Sequence, residues 1–104
     1  MIEPSLREKK RYIVIETLKE HAYDEIKSNI YKECLAFLGE KGTGELGLLF
    51  LKEHWNKRFG IIRVNHKKVN EFKMIIGLTK EIKAKTIKTT GTLKKAKKII
   101  EMNK

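Results

Sequence analysis

Apolar side chains in the first half of the chain follow two different spacings. The segment Tyr12–Leu18 is mostly apolar and rich in β-branched residues, which is typical of a strand at the centre of a sheet. Helical spacing over Tyr23–Leu38 predicts a helix that Gly39 terminates, followed by a flexible connection at Gly42–Gly44. The predicted apolar stripe of this helix consists of Ile26, Ile30, Phe37 and either Cys34 or Leu38.

The second half repeats the alternation of strand and helix patterns. Two runs, Leu46–Trp55 and Phe59–Asn65, are separated by three residues and predict a hairpin. A helix is predicted from His66 to about Leu78, and a last strand lies within Ile82–Thr90. Thr92 then begins a terminal helix. The residues expected to face inward from these two helices are Val69, Phe72, Ile75 and Ile76, and then Leu93, Ala96, Ile99 and Ile100.

The predicted order is βαββαβ within one domain covering residues 1–104. This order is that of the α+β ferredoxin-like sandwich, which is also the architecture of RNA-recognition motifs. We expect an antiparallel sheet with two helices on one face and the other face open to a partner. A capping box at Ser5–Glu8 predicts a short N-terminal helix, and the terminal helix is basic.

Charge changes this picture because it is large and uneven. The net charge is +11 and the isoelectric point about 9.8, yet residues 1–51 carry −1 and residues 52–104 carry +12. Nucleic acid is the common partner of such a chain, and an acidic membrane surface is a rarer one. No apolar run approaches a membrane span and no signal peptide is visible, so a cytoplasmic protein without membrane contact is expected.

Lysines concentrate around the last predicted turn. Between Lys83 and Lys98 there are seven lysines and no acid, and Thr92 is placed to cap the helix that follows Gly91. A second basic cluster precedes the first strand. The predicted nucleic-acid contacts are Arg7, Lys9, Lys10, Arg11, Lys88, Thr90, Gly91, Thr92, Lys94, Lys95, Lys97 and Lys98. The alternative is an ordinary solvated basic face.

Residues able to perform catalysis are sparse. His21, His54 and His66 are far apart and show no metal-ligand spacing, and Cys34 is expected in the core. Acylphosphatase shares the predicted fold but needs a glycine-rich loop with an arginine after the first strand, where this chain has Lys19–Ala22. We therefore expect no catalytic residue and no cofactor bound by the protein.

The predicted third strand lacks base-stacking residues. RNA-recognition motifs stack bases on aromatic side chains of this strand, whereas Arg58–Val64 is mainly aliphatic after Phe59. An aliphatic open sheet face favours a protein partner. The predicted protein-interface residues are Tyr12, Val14, Ile61 and Arg63.

Three segments together resemble the archaeal ribonuclease P protein component 2, the counterpart of the eukaryotic Pop-type subunit. The first is Pro4–Arg7 with Lys10–Ile13, and the second is Gly60–Val64, continuing through Val69 and Phe72 to Ile82. The third is Gly91–Lys95, a Gly-Thr turn into a basic helix. They occur in the family's order and cover nearly the whole chain.

The resemblance implies a subunit that binds and stabilises a catalytic RNA, which removes 5′ leaders from precursor tRNA. Chemistry would belong to the RNA and its bound Mg²⁺. The implied partners are ribonuclease P RNA, precursor tRNA and the barrel-shaped component 3, with pairs joining through component 2 chains. Two other readings stay open, an accessory protein of another structured RNA such as ribosomal RNA, and a small phosphate-handling enzyme.

Overall fold

Four strands and three α-helices make up the computed structural model, which describes residues 9–56, 58–79 and 83–103. The predicted capping box at Ser5–Glu8 lies outside these residues. The elements are β1 (Lys10–Thr17), α1 (Tyr23–Leu46), β2 (Leu49–Phe50), β3 (Phe59–Asn65), α2 (Val69–Gly77), β4 (Ala84–Thr90) and α3 (Leu93–Asn103). Short 3₁₀ turns at Lys52–His54 and His66–Lys68 precede β3 and α2 respectively.

The strands form one sheet in the order β2-β3-β1-β4. β1 is central and pairs antiparallel with both β3 and β4, and β2 pairs antiparallel with β3. The predicted βαββαβ order and antiparallel sheet are therefore confirmed. Side chains alternate along β1, so that Ile13 and Ile15 point to one face while Tyr12 and Val14 point to the other.

Helices α1 and α2 cover the first face of the sheet. Their apolar residues meet Ile13, Ile15, Ile62 and Val64 of the two central strands in one buried cluster. The helix residues of this cluster are Ile26, Ile30, Cys34, Leu46, Phe72, Ile75 and Ile76. The inward positions predicted for α2 are confirmed, and Val69 packs against the cluster while remaining partly exposed.

Helix α3 covers the second face, and the prediction of an open face is wrong. Ala96 is 0% exposed and Ile100 is 5% exposed, because they pack in a second cluster with Val14, Phe59 and Ile61. The apolar side of a terminal helix has to be buried against something, and the aliphatic sheet face is the surface available to it. The basic helix α3 of the protein thus covers the second face of its sheet.

Two glycines give α1 a different shape from the predicted one. Gly39 has φ 72° and ψ −179°, which interrupts the helix as expected, but helical structure resumes and ends only at Gly47, with φ 61°. Gly42–Gly44 therefore belongs to a helical segment and is not a flexible connection. Phe37 was predicted to face inward and is 53% exposed. Ile26, Ile30, Cys34 and Leu38, spaced four residues apart, form the inner side of the helix, and Phe37 lies outside that row.

The predicted hairpin is present but its first strand is short. Strand β2 is limited to Leu49 and Phe50, since Leu46 ends α1 and a 3₁₀ turn follows Leu51, and Asn56 adds an isolated bridge to Phe59. Trp55 leaves that turn and packs against Gly60, where a Cβ atom would lie 1.8 Å from the ring carbon Cζ3. The pattern of Leu46–Trp55 predicted one strand, but the stretch contains the end of α1, the strand β2 and the following 3₁₀ turn.

Candidate nucleic-acid interface

The N-terminus of α3 is built as the sequence predicted. The hydroxyl of Thr92 accepts a hydrogen bond from the amide of Lys95 at 3.3 Å, which is the geometry of a helix cap. Leu93 and Ile99 pack beside the buried Ala96 and Ile100, so the apolar side of the helix is fixed on the sheet. The remaining positions of α3 must therefore face away from the sheet.

Those outward positions carry the predicted basic cluster. Lys94, Lys95, Lys97 and Lys98 are all exposed, and Lys88 is exposed on the neighbouring edge strand β4. Within the described ranges, none of these five ammonium groups lies within 4 Å of a carboxylate. Uncompensated charge at this density attracts polyanions.

A shallow groove follows this side of α3. Its volume is about 520 Å³, and it is lined by Leu93, Lys94, Lys97, Lys98 and Glu101. Lys94 and Lys98 are one helical turn apart, which places them about 6 Å apart along the axis. This spacing lets one nucleic-acid strand present successive phosphates to the same helix.

Helix α3 is held to β4 by a hydrogen-bonded turn at Thr90–Gly91–Thr92. Thr90 is only 7% exposed, and its hydroxyl donates to the carbonyl oxygen of Thr92 at 2.8 Å. The hydroxyl of Thr90, a predicted nucleic-acid contact, is thus used within the turn, and its contact with nucleic acid stays a prediction. Gly91 and Thr92 remain exposed.

The described residues of the predicted N-terminal basic cluster lie at the start of β1 and extend in two directions. Arg11 reaches the turn, since a Cβ on Gly91 would lie 3.9 Å from its Nη1 atom. Lys10 instead contacts the side chain of Asn65 at the end of β3, and Lys9 is exposed beside His66. Arg7 lies outside the described residues. The structure therefore brings Arg11, but not the whole cluster, to the α3 surface.

The four predicted protein-interface residues also separate into two groups. Val14 and Ile61 are 0% and 1% exposed beneath α3, so the prediction that they meet a partner is wrong in this structure. Tyr12 and Arg63 are cross-strand partners that keep part of their surface exposed. Leu49, which pairs with Arg63 and is 41% exposed, extends the row to β2 and was not predicted.

Arg63 has an unsatisfied group in this row. Its Nε atom is buried and has no hydrogen-bond partner among the described residues. Buried donors are nearly always paired in folded proteins. Leu49, Arg63 and Tyr12 lie in one row on the second sheet face and retain exposed surface, and we call them the uncovered row.

Cys34 is a core residue, as predicted. Burial, together with the nearby charge of Glu33, raises the pKa of its thiol to about 11. A thiol with a raised pKa stays protonated at neutral pH and is a poor nucleophile. Cys34 therefore does not provide reactive chemistry.

We expect the Cys34 thiol to resist a water-soluble thiol reagent at pH 8 until the protein is unfolded. Because the folded pKa lies above the unfolded value, the free energy of unfolding should fall as pH rises through the interval from about 9 to about 11. Reagent uptake measured with and without denaturant checks the first expectation. Rapid labelling of the native protein would contradict it.

The described part of the chain contains neither a metal-binding cluster nor a membrane-spanning helix. No three His, Cys, Asp or Glu side chains there are grouped so that they could hold a metal ion. Among its helices, none combines the length and the apolar character needed to cross a membrane. The basic surface of α3 is the candidate site that these residues support.

Known proteins are similar to this chain in sequence and in fold. The model of the Rpp14/Pop5 family matches residues 11–101. Ribonuclease P protein component 2 of Pyrococcus furiosus is 33% identical, with 93% of this chain and 87% of that protein covered. The Thermococcus gammatolerans protein of the same name is 32% identical with the same coverage, and the Methanobrevibacter smithii protein is 27% identical over 97% and 96% of the two chains.

A solved structure gives the same result for the fold. A chain in the cryo-EM structure of yeast ribonuclease MRP superposes with a TM-score of 0.67, covering 93% of this chain and 89% of that one at 12% identity. The family match spans nearly all the described elements, from β1 through α3. This protein belongs to the Rpp14/Pop5 family.

Proposed function

We propose that this protein is a subunit of ribonuclease P that binds and stabilises the catalytic RNA during removal of 5′ leaders from precursor tRNA. The observation that carries the proposal is the outward side of α3, where four lysines stand without carboxylate partners within the described ranges. Family membership supports it, because the archaeal relatives are named as this subunit.

The protein's contribution to the RNA is electrostatic. Lysines on α3 and Arg11 beside the Gly91 turn would neutralise phosphates and release the counterions condensed on them. Helices of a folded RNA that approach one another repel through their phosphates. A fixed basic surface reduces that repulsion, so less Mg²⁺ is needed to fold the RNA. The Mg²⁺ ions themselves are proposed to be held by the RNA.

A second surface is proposed to bind protein. The uncovered row keeps exposed apolar surface at Leu49 and an unpaired buried donor at Arg63, and both are features that a protein partner can satisfy. Component 3 is the proposed occupant, in a complex that also meets precursor tRNA in the cytoplasm. Association of two copies of this chain is the second protein contact implied by the family.

We expect the joint replacement of Lys94, Lys95, Lys97 and Lys98 by glutamine to weaken RNA binding strongly. Removing four phosphate contacts should make the slope of log affinity against log salt shallower by about 3. Since these side chains are exposed, the melting temperature should change little. Tagged parent and variant proteins are purified from the native cell at moderate salt, and the RNA that accompanies each is sequenced. Salt titrations with the enriched RNA then measure the slope.

A matched variant separates the site from net charge. Replacing four exposed lysines elsewhere, Lys19, Lys32, Lys41 and Lys73, removes the same charge. This control should retain the RNA and most of the slope. The proposal is supported if the parent enriches a ribonuclease P RNA that the α3 variant loses. Enrichment of ribosomal RNA by the parent, or equal losses in both variants, would overturn it.

A further inference from the structure

The 3₁₀ turn His66–Lys68 is fixed beside Lys9, the residue before β1. The amide of His66 donates to the carbonyl oxygen of Lys9 at 2.9 Å, and its Nδ1 atom lies 3.2 Å from the same oxygen. These residues are 57 positions apart in the chain. The pairing of Lys10 with Asn65 at the adjacent register position brings them together.

A cleft opens next to this contact. Its volume is about 270 Å³, and it is lined by Gly44, Glu45, Asn65, His66, Lys67 and Lys68. Asn65 is 7% exposed and links two of its walls, because its Nδ2 atom donates to the carbonyl oxygen of Glu45 at 2.7 Å while its Oδ1 atom accepts from Lys10. The base of the cleft is therefore held by hydrogen bonds between β1, β3 and the end of α1.

The lysines around the cleft differ in whether a carboxylate lies close enough to compensate their charge. Lys68 lies 3.6 Å from Glu45 and 3.5 Å from Glu71, so its charge is largely compensated. Lys9 and Lys67 are exposed, and among the described residues no carboxylate lies within 4 Å of either ammonium group. Lys67 thus places an uncompensated cation in the wall of a polar cleft, and Lys9, whose carbonyl oxygen binds His66, is the neighbouring exposed cation.

This cleft lies at the same end of the sheet as the turn before α3, because Asn65 pairs with Lys10 and Thr90 pairs with Tyr12. Arg11 extends toward Gly91 on the β4 side of β1, and Lys9 is bound to His66 on the β3 side. Two strand spacings separate β4 from β3, which is about 10 Å. A nucleic-acid backbone crosses that distance in a few nucleotides.

We propose that Lys9, Lys67 and the cleft beside His66 form a second phosphate-binding surface, occupied by the backbone of the same RNA that contacts α3. The inference rests on the proposed function and extends it to residues that lie far from α3 in sequence. RNA fits better than an acidic protein, because its backbone is an extended line of phosphates and the cleft lies at the same end of the sheet as Arg11, which approaches the Gly91 turn before α3. A polyanion that follows one basic surface meets the other.

The test compares two double variants of the full chain. Replacing Lys9 and Lys67 with glutamine should weaken binding to the co-purified RNA about tenfold near physiological salt, with a slope against log salt shallower by about 1.5. The control replaces Lys32 and Lys41, two exposed lysines of α1, and should retain the parental slope. An unchanged slope in the Lys9 and Lys67 variant would overturn the second surface, as would an equal change in the control.

The α3 variant distinguishes this failure from failure of the proposed function. If binding is lost on α3 replacement but kept in the Lys9 and Lys67 variant, the second surface is wrong and the RNA-binding function stands. If both variants keep full binding, the function itself is wrong. Loss of a co-purifying acidic protein, with RNA binding retained, would assign the cleft to that protein and overturn the proposal.

Directed cleavage gives a readout that does not depend on affinity. An iron chelate is attached to a cysteine introduced as Lys67→Cys or Lys94→Cys, while the native Cys34 is buried and should remain unlabelled. Both positions should cut the RNA. The two sets of cleavage sites should lie a few nucleotides apart, either along the RNA sequence or in the folded RNA. Cleavage from position 94 without cleavage from position 67 would show that the RNA does not reach the cleft.

Discussion

Ala96→Asp is expected to remove α3 from the sheet. Ala96 is 0% exposed and packs in the cluster with Val14 and Ile61, so the new carboxylate would be buried without a cation or donor. The expected loss is about 3–5 kcal/mol of unfolding free energy, a large part of the stability of a domain this size. Denaturant titration followed by circular dichroism measures the loss, and binding of a hydrophobic dye reports the exposed sheet face.

The control for this change is Met102→Asp. It places the same charge on the same helix at a side chain that is 76% exposed, so stability should stay within about 0.5 kcal/mol of the parent. RNA affinity separates the two variants further. Ala96→Asp should lose affinity because the lysines no longer occupy fixed positions, whereas Met102→Asp should lose only what one added negative charge costs. Equal stability of the two variants would show that α3 does not cover the sheet.

Gly60→Ala is expected to destabilise the protein by about 3 kcal/mol, at the upper end of the range for overpacked cores. The added Cβ would lie 1.8 Å from Cζ3 and 1.9 Å from Cε3 of Trp55, which is far inside contact distance. The indole ring would have to move, and it is held by an edge-to-face contact with Tyr23 at a centroid separation of 6.3 Å. A denaturant titration monitored by Trp fluorescence measures both the loss and the change in ring environment.

Gly44→Ala provides the matched comparison. Gly44 is helical and nothing lies within 4 Å of its added Cβ, so alanine should be neutral or stabilise by up to about 1 kcal/mol. The pair isolates the steric cause, since both variants replace glycine with alanine. A Gly60→Ala protein as stable as the Gly44→Ala protein would mean that Trp55 has another position of similar energy.

Local patterns were sufficient for most of the fold. The β-branched residues of β1, the helical spacing of α2 and the Gly91–Thr92 start of α3 each depend on neighbours within one element, and all three were predicted. The antiparallel sheet was expected from the predicted βαββαβ order. Charge density alone identified the lysines of α3 as the candidate site.

Features that depend on distant parts of the chain were not predictable in this way. The spacing of Ala96 and Ile100 indicates burial but does not specify the surface that receives them, so the closed second face was missed. The position of Lys9 beside His66 arises from strand register, which no local pattern encodes. The shortness of β2 was missed for a similar reason, since the residues of the predicted strand Leu46–Trp55 belong to several elements.

Helix α3 carries the apolar cover of the sheet on one side and four lysines on the other, and these roles are thermodynamically linked. Lysines one turn apart repel each other along an isolated helix, which opposes its formation. Phosphates bound along that side remove the repulsion, and a ligand that binds only the folded form stabilises it by mass action. The RNA would therefore act as a stabiliser of the hydrophobic core beneath α3, and the packing of that core would in turn contribute to RNA affinity.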